Sequence, residues 1–538
     1  MTPGETVRNK APGQHRSMSL AAVLMMTGLL LSKITGQLRE ILVMPVFGGN
    51  TLLSDAFFLG FQIPDLFYQL LVGGAIQAAI TPALAAAVQK RQERAGWRSV
   101  SIFINITALT VMLAVLVGQL LTPVLIPLYN PGKDPAVISL AIQVSRALFP
   151  QIFFMMLAAL CIGVLNAYKK FQATAFGPPF YNLCVIMSMV LLGTSTTEGP
   201  VRIAAGVLLA AAAYFILQFF LARREFRHYI LSLDHRDTEF RRLLRLAVPT
   251  LISCSIVQIN MIVLTGFAVG DGAVTALRNA STTWQLPYGI FAVAIGNVML
   301  PTLSGLNAVH DHTGCRRIFT RSLRSTLFMI VPSASLFLAM RQDVIRAIFQ
   351  WNRDYTETMI QSASEILGWY CLAMVAQSVV FLLNQAFYAR RVTRISLING
   401  LLTLLLNTLL CVLLGAVNPG SLANLSLAYA ITSGVSVVFM YTLYVKGMPA
   451  ASPKRLSPFS VRLMLCAAAL LTVVMLIGLL PVSPVAKIWQ LAWLIVRGIA
   501  GFTAFLAAAR LLKMPEVDEI INKMKALRAK LKRLGSRI

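Results

Sequence analysis

Apolar stretches of about 20 residues or more recur along the whole of this chain, each bounded by polar residues, proline or glycine. A bilayer's hydrocarbon core is crossed by about 20 helical residues, and without water there every backbone N–H and C=O must be satisfied within the segment or by closing a barrel. Segments of this length and hydropathy therefore fold as membrane-spanning helices. They lie near 19–46, 53–87, 101–128, 136–167, 172–193, 200–222, 246–269, 273–305, 325–340, 358–388, 395–415, 421–445, 458–480 and 488–512. The expected fold is an all-α polytopic membrane protein of about fourteen transmembrane helices.

The charges test this count. Only 12% of residues are charged, yet the formal net charge is +27, which in a soluble protein would raise the question of nucleic acid. Here the cations follow the loops, and nucleic acid is not an expected partner. Alternate loops carry Lys90, Arg91, Arg94 and Arg98; Lys169 and Lys170; seven arginines between Arg223 and Arg245; Arg316, Arg317, Arg321 and Arg324; Arg390, Arg391 and Arg394; and Lys446, Lys454 and Arg455. The opposite loops hold only Lys133, Arg341, Arg346, Arg353 and Lys487. Short basic loops stay on the cytoplasmic side, so both termini are expected to be cytoplasmic. No cleavable signal peptide is expected, since residues 1–17 form a polar tail and the first apolar run is longer than an h-region.

The chain also repeats itself. Phe61-Gln62-Ile63-Pro64 followed by Thr81-Pro82-Ala83-Leu84 matches Trp284-Gln285-Leu286-Pro287 followed by Leu300-Pro301-Thr302-Leu303. The two Pro-to-Pro gaps, 18 and 14, differ by about one helical turn. Two six-helix lobes in parallel repeat are expected, with two further C-terminal helices. The organisation reads as a tail 1–17, a first lobe 18–222, a cytoplasmic linker 223–245, a second lobe 246–446, a pair of helices in 447–513 and a tail 514–538. In that last tail Val517, Ile520, Ile521, Met524, Leu527, Leu531 and Leu534 fall at helical spacing among lysines and arginines. A basic amphipathic helix of this kind binds anionic inner-leaflet lipids.

Several chemistries find no support. The seven cysteines lack CxxC spacing and fall mostly within apolar segments, so buried thiols are expected rather than disulfides. The five histidines form no HExxH, and there is no P-loop and no GxSxG. No metal or cofactor is expected, although coupling to the membrane potential or to a monovalent ion stays open.

What stands out is charge inside the spans. The first apolar segment carries Lys33, Arg39 and Glu40, and the second carries Asp55 and Asp65. A charge at mid-bilayer costs about 2.5 to 3.5 kcal/mol on insertion scales, so such groups face a partner, a cavity or a substrate. Lys33 and Glu40, seven residues apart, share a helical face, and Arg39 lies about 120° round from Lys33. Arg278 and Arg497 are further cations within spans. A cationic surplus of this kind suits an anionic cargo, with ion pairs that fix helix register as the alternative reading.

Several stretches carry a family resemblance: SLAAVLMMTGLLLSKITGQLREILVMPVFGG, SDAFFLGFQIPDLF, GGAIQAAITPALA, LFPQIFFMMLAALCIGVLNAYKKFQATAFGPPFYN, AVAIGNVMLPTLS and AFYARRVTR. Together they resemble the MurJ/MviN family of the MOP superfamily, in register from about Ser19 to Arg394. The resemblance implies a fourteen-helix flippase with two lobes around a central cationic cavity. It implies as cargo lipid II, the undecaprenyl-diphosphate-linked peptidoglycan precursor, and places helices 13 and 14 as a groove for its lipid tail. The family's two helix-1 arginines fall on Lys33 and Arg39, and its helix-2 aspartate on Asp55. Its second helix-2 arginine falls on Tyr68, the glutamate before its Gly-Ala on Gly73, and its helix-8 arginine and glutamate on Thr282 and Gln285. Arg278, one turn before Thr282, is the nearest substitute cation.

The expected protein is therefore a transporter of the bacterial cytoplasmic membrane and not an enzyme, moving lipid II outward by alternating access. Lys33 and Arg39 would hold the diphosphate, with Arg278 across the lobe interface, while Asp55 and Glu40 orient them. Gln62, Gln77, Gln258 and Asn260 would serve sugar or peptide groups. Cell-wall synthesis proteins are candidate partners. The competing readings are a flippase for another lipid-linked glycan, a cation-coupled drug exporter and a non-transporting membrane scaffold of the same fold.

Overall fold

A computed structural model describes residues 12–72, 75–170, 174–446, 457–480 and 486–517, with the side chains of 12–26, 29, 75–79, 246–255, 257 and 457 left outside the description. Every described element is helical. Their order is α1 Pro12–Val46, α2 Thr51–Leu71, α3 Ala75–Gln89, α4 Glu93–Leu128, α5 Pro135–Leu148, α6 Gln151–Ala167, α7 Gly177–Leu192, α8 Gly199–Ala222 and α9 Thr238–Gly266. There follow α10 Ala273–Pro287, α11 Ala294–Ala308, α12 His312–Ala339, α13 Arg341–Phe349, α14 Glu357–Ala389, α15 Thr393–Val417, α16 Ala423–Lys446, α17 Ser457–Gly478 and α18 Lys487–Leu511. All fourteen expected segments coincide with helix. Among the described residues, nine helices are long and apolar enough to cross a bilayer, and ten if the bent pair α5–α6 counts as one span. The other expected spans are α1, the broken α2–α3, α9 and the 16-residue α7. The apolar exterior is that of a membrane protein: Leu109, Leu113, Leu116, Leu120, Val124 and Leu128 are all exposed along one face of α4.

The chain divides into two compact units, residues 1–259 and 260–538. The division falls inside α9 and not in the 223–245 loop, and local hydrogen bonding explains why. Asn105 Nδ2 donates to the carbonyls of Ile230 (3.1 Å) and Ser232 (2.9 Å), Tyr229 donates to Asn105 Oδ1, and the Ile230 N–H donates to Ser101 Oγ (3.1 Å). Asp237 caps α9 by accepting the Phe240 N–H at 2.7 Å and accepts the Ser99 hydroxyl at 3.1 Å. Those bonds fasten the loop to α4, so it belongs to the first unit.

The two Pro-flanked spans differ between their prolines. After Pro64 the first unit breaks its helix beyond Leu71, whereas after Pro287 the second runs through a π-helical turn, Tyr288–Val293, into α11. Proline removes one hydrogen bond and crowds the carbonyl four residues earlier; the longer gap is taken up by a break and the shorter by a wider turn.

Five helices close in the same way. Arg91, Lys169, His310, Arg391 and Lys513 take left-handed backbone angles just past α3, α6, α11, α14 and α18. The next N–H in each case returns to a carbonyl five residues back, as Gln92 to Ala87 (2.9 Å), Lys170 to Leu165 (2.9 Å) and Val392 to Phe387 (3.0 Å). A residue with a Cβ pays roughly 1 kcal/mol there relative to glycine. The caps of α3 and α11, and those of α6 and α14, occupy corresponding places in the two repeats.

In the first unit α1 lies parallel to α7. Gly28 approaches Ala175, Gly36 approaches Asn182, and Val46 reaches Gly193. A Cβ at Gly28 would stand 2.4 Å from the Ala175 carbonyl oxygen, a backbone atom that cannot rotate away. Gly28→Ala is expected to destabilise the protein by about 1 to 3 kcal/mol, read as a lower unfolding temperature in detergent. An unchanged temperature would mean that this contact does not hold α1.

Candidate functional site

Asn182 sets the rotation of α1: its Nδ2 donates to the Ser32 carbonyl (3.1 Å) and to Thr35 Oγ1 (3.2 Å). Lys33 lies about 100° round from Ser32. It is exposed and makes no ion pair among the described residues. Arg39 is different: its Nη2 donates to Glu40 Oε1 at 3.0 Å, and Glu40 is only 6% exposed. An ion pair thus answers Arg39 and not Lys33 among the described residues, and that pair lies within α1 itself.

Arg39 also belongs to a wider polar group. Arg39 and Asp65 both act electrostatically on Tyr181, and Asp65 acts on Tyr68. Tyr181 donates to Gln151 Oε1 at 3.5 Å, and its ring lies 5.9 Å from that of Tyr214. Where the family pattern has an arginine, Tyr68 thus sits with a carboxylate and a second phenol. Gln62, on α2, has its Oε1 buried without a hydrogen-bond partner. The side chain of Gln77 lies outside the described residues.

Asp55, in the second turn of α2 and 5% exposed, finds its electrostatic partner in Lys133. That lysine belongs to the short loop between α4 and α5. Reading the sequence missed it, because a lone loop lysine gives no periodic signal; its one mark is to be among the five cations on the cation-poor side. Burial lowers the Lys133 pKa to about 8, and Asp55 works against that fall.

In the second unit, Arg278 is half-buried on α10 and interacts within the protein. Asn260 is buried and accepts from Asn407 Nδ2 at 3.0 Å, so its carboxamide oxygen joins α9 to α15. Gln258, half-buried, falls in the first unit. Gln285 donates to Ser281 Oγ on its own helix at 3.0 Å. Arg497 holds Asp343 at 2.6 Å and the Val474 carbonyl at 3.4 Å, tying α18 to α13 and α17. Its charge serves the packing of that helix pair. Nearby, Lys487 Nζ donates to the Arg346 and Gln350 carbonyls, each at 2.6 Å, and so closes the end of α13.

No metal-binding cluster of histidine, cysteine or carboxylate occurs among the described residues, and the six described cysteines are free thiols. Apolar helices in a Pro-broken repeat, with cations on span faces, define a multi-pass membrane transporter. Solved structures agree on the fold. The chain is similar to "Lipid II flippase MurJ, inward closed conformation" with a TM-score of 0.74 and 23% identity, covering 91% of this chain and 98% of that one. It also resembles an inward-facing multidrug resistance MATE family transporter of the MOP superfamily, at a TM-score of 0.66 and 13% identity over 80% of this chain and 98% of that one. The family model described as Lipid II flippase MurJ matches residues 45–496, and the chain belongs to the MurJ family. Relatives include "Probable lipid II flippase MurJ" of Rhizobium tropici, 29% identical over 77% of this chain and 79% of that protein. The "Lipid II flippase MurJ" of Burkholderia cenocepacia is 27% identical over 69% and 73%, and the Rickettsia prowazekii relative is 23% identical over 91% and 96%.

The Lys133 ammonium gives a pH signature. Its folded pKa, about 8, lies below the ordinary lysine value of 10.5, so above pH 8 the unfolded chain binds the extra proton. The penalty for burying the ammonium is complete below pH 8 and is relieved as the pH rises toward 10.5, so this group's contribution to stability increases across that window. The stability difference between the parent and Lys133→Met is therefore expected to shift in the parent's favour between those pH values, as measured by thermal unfolding. A difference independent of pH would contradict the buried ammonium.

Proposed function

We propose that this protein moves lipid II, the polyprenyl-diphosphate-linked peptidoglycan precursor, from the inner to the outer leaflet of the bacterial cytoplasmic membrane by alternating access. Membership of the MurJ family and the names of its relatives supply the cargo class. The observation that carries the anion-binding role is Lys33: an exposed ammonium within an apolar helix, with no acid beside it among the described residues. A diphosphate is the natural counter-charge for such a group. Arg39, drawn to Glu40, presents a partly neutralised guanidinium and serves as the second, orienting cation. Asp55 acts on the far side of α2 by holding Lys133. Gln62, whose buried oxygen lacks a partner, would accept from hydroxyl or amide groups of the headgroup once the site opens.

The work is binding and release, with no bond made or broken, and the protein acts as a transporter rather than an enzyme. An inside-negative membrane potential favours outward passage of an anion by about 2.3 kcal/mol per charge per 100 mV. On this reading both termini lie in the cytoplasm; the C-terminal segment beyond Val517, expected to bind anionic lipid, lies outside the described residues.

The test is replacement of the essential lipid II flippase of a bacterium by this chain. Growth is expected with the parent and with Lys33→Arg, and loss of growth with Lys33→Ala at an equal protein level. Growth supported by Lys33→Ala would remove Lys33 from the mechanism, and failure of the parent despite membrane insertion would remove lipid II as the cargo.

A further inference from the structure

Left-handed backbone positions separate by residue type. Gly48, Gly49, Gly132, Gly270, Gly272 and Gly420 supply them between α1 and α2, α4 and α5, α9 and α10, and α15 and α16. These are the loops poor in cations. At the opposite ends of the spans the same conformation is taken by Arg91, Lys169, His310, Arg391 and Lys513, with no glycine among them. One side thus uses the residue that the backbone prefers, while the other keeps a basic side chain against that preference.

Side-chain interactions link these caps within each unit. In the first, Trp97 Nε1 donates to the Tyr168 hydroxyl at 3.1 Å, which joins the start of α4, just after Arg91, to the residue before Lys169. In the second, Cys315, five residues beyond His310, feels the charge of Arg390 beside Arg391. Arg324 of the same helix α12 holds Glu516 at 2.6 Å, three residues beyond Lys513.

Four neighbouring cations are held by acids. Lys170 pairs with Glu225, Arg98 with Asp234, Arg227 with Glu93 and Arg324 with Glu516. Arg91, Lys169, Arg391 and Lys513 are exposed and have no ion pair among the described residues. Helix C-termini favour cations in any solvent, which is one possible compensation for the backbone strain. A phosphate layer at the level where an apolar helix ends is the other, and together with the retention of basic loops on one side it accounts for the confinement of such residues, among those described, to the cation-rich side.

We infer that the left-handed caps contact the headgroups of anionic phospholipids, Arg91 and Lys169 in the first unit and Arg391 and Lys513 in the second, with His310 as a further member in the second. The occupant is the bilayer leaflet on the cation-rich side, bound through phosphate oxygens.

The experiment compares thermal unfolding of the full chain in nanodiscs of phosphatidylcholine alone and of phosphatidylcholine with phosphatidylglycerol. The parent is expected to gain stability in the anionic discs. The variant Arg91→Gly/Lys169→Gly/Arg391→Gly/Lys513→Gly is expected to lose most of that gain, and in neutral discs to be at least as stable as the parent, since glycine relieves the backbone. A control with the same charge loss, Arg224→Gln/Arg236→Gln/Arg241→Gln/Arg245→Gln, is expected to keep the gain. An equal gain in parent and cap variant, an equal loss in the control, a cap variant weaker than the parent in neutral discs, or full replacement of the gain by inorganic phosphate would each overturn the inference.

Discussion

Everything in this molecule turns on the cost of placing an ionised group among apolar helices. That cost can be met by an internal partner, by water or by a ligand. Arg39 meets it through Glu40, Arg497 through Asp343 and Asp55 through Lys133. Once these are accounted for, Lys33 remains, as do Arg146, Arg462 and Arg510, an exposed cation on a span helix with no ion pair among the described residues, and unlike Arg462 and Arg510 it lies well inside its helix. The proposed anion-binding role therefore rests on one face of α1.

That face depends on packing as much as on charge. Asn182 bonds to α1 at Ser32 and Thr35, and Gly28 and Gly36 let α1 approach α7. Rotation of α1 about its own axis would break those bonds and turn Lys33 away. Small residues and one amide thereby position a charge that they never touch. In the second unit the corresponding investment is structural: Asn260 with Asn407 joins α9 to α15, and Arg497 joins α18 to α13 and α17.

The spans were legible because bilayer thickness imposes a length on apolar runs, and each of the fourteen coincides with helix. Their interruptions were less so. Pro64 and Pro287 mark weak points in the sequence, but whether the helix breaks, as after Leu71, or widens into a π turn, as after Pro287, depends on the neighbours. Among candidate residues, helical spacing placed Lys33 and Glu40 on one face, whereas the preference of Arg39 for the adjacent Glu40 rests on rotamer geometry that spacing does not encode. Lys133 was beyond reach for another reason: its electrostatic interaction with Asp55 joins distant parts of the chain. The loop 223–245 looked like a domain boundary by composition, and only the hydrogen bonds of Asn105 reveal it as part of the first unit.

Membership of the MurJ family and the unanswered charge of Lys33 converge on transfer of a lipid-linked diphosphate across the bilayer. The most direct measurement follows the headgroup itself. In cells whose flippase activity comes from this chain alone, lipid II is exposed to an externally added, membrane-impermeant reagent that cleaves its headgroup. The account predicts cleavage with the parent and protection with Lys33→Ala at equal protein level. Equal cleavage in both, or none with the parent while it sustains growth, would contradict it.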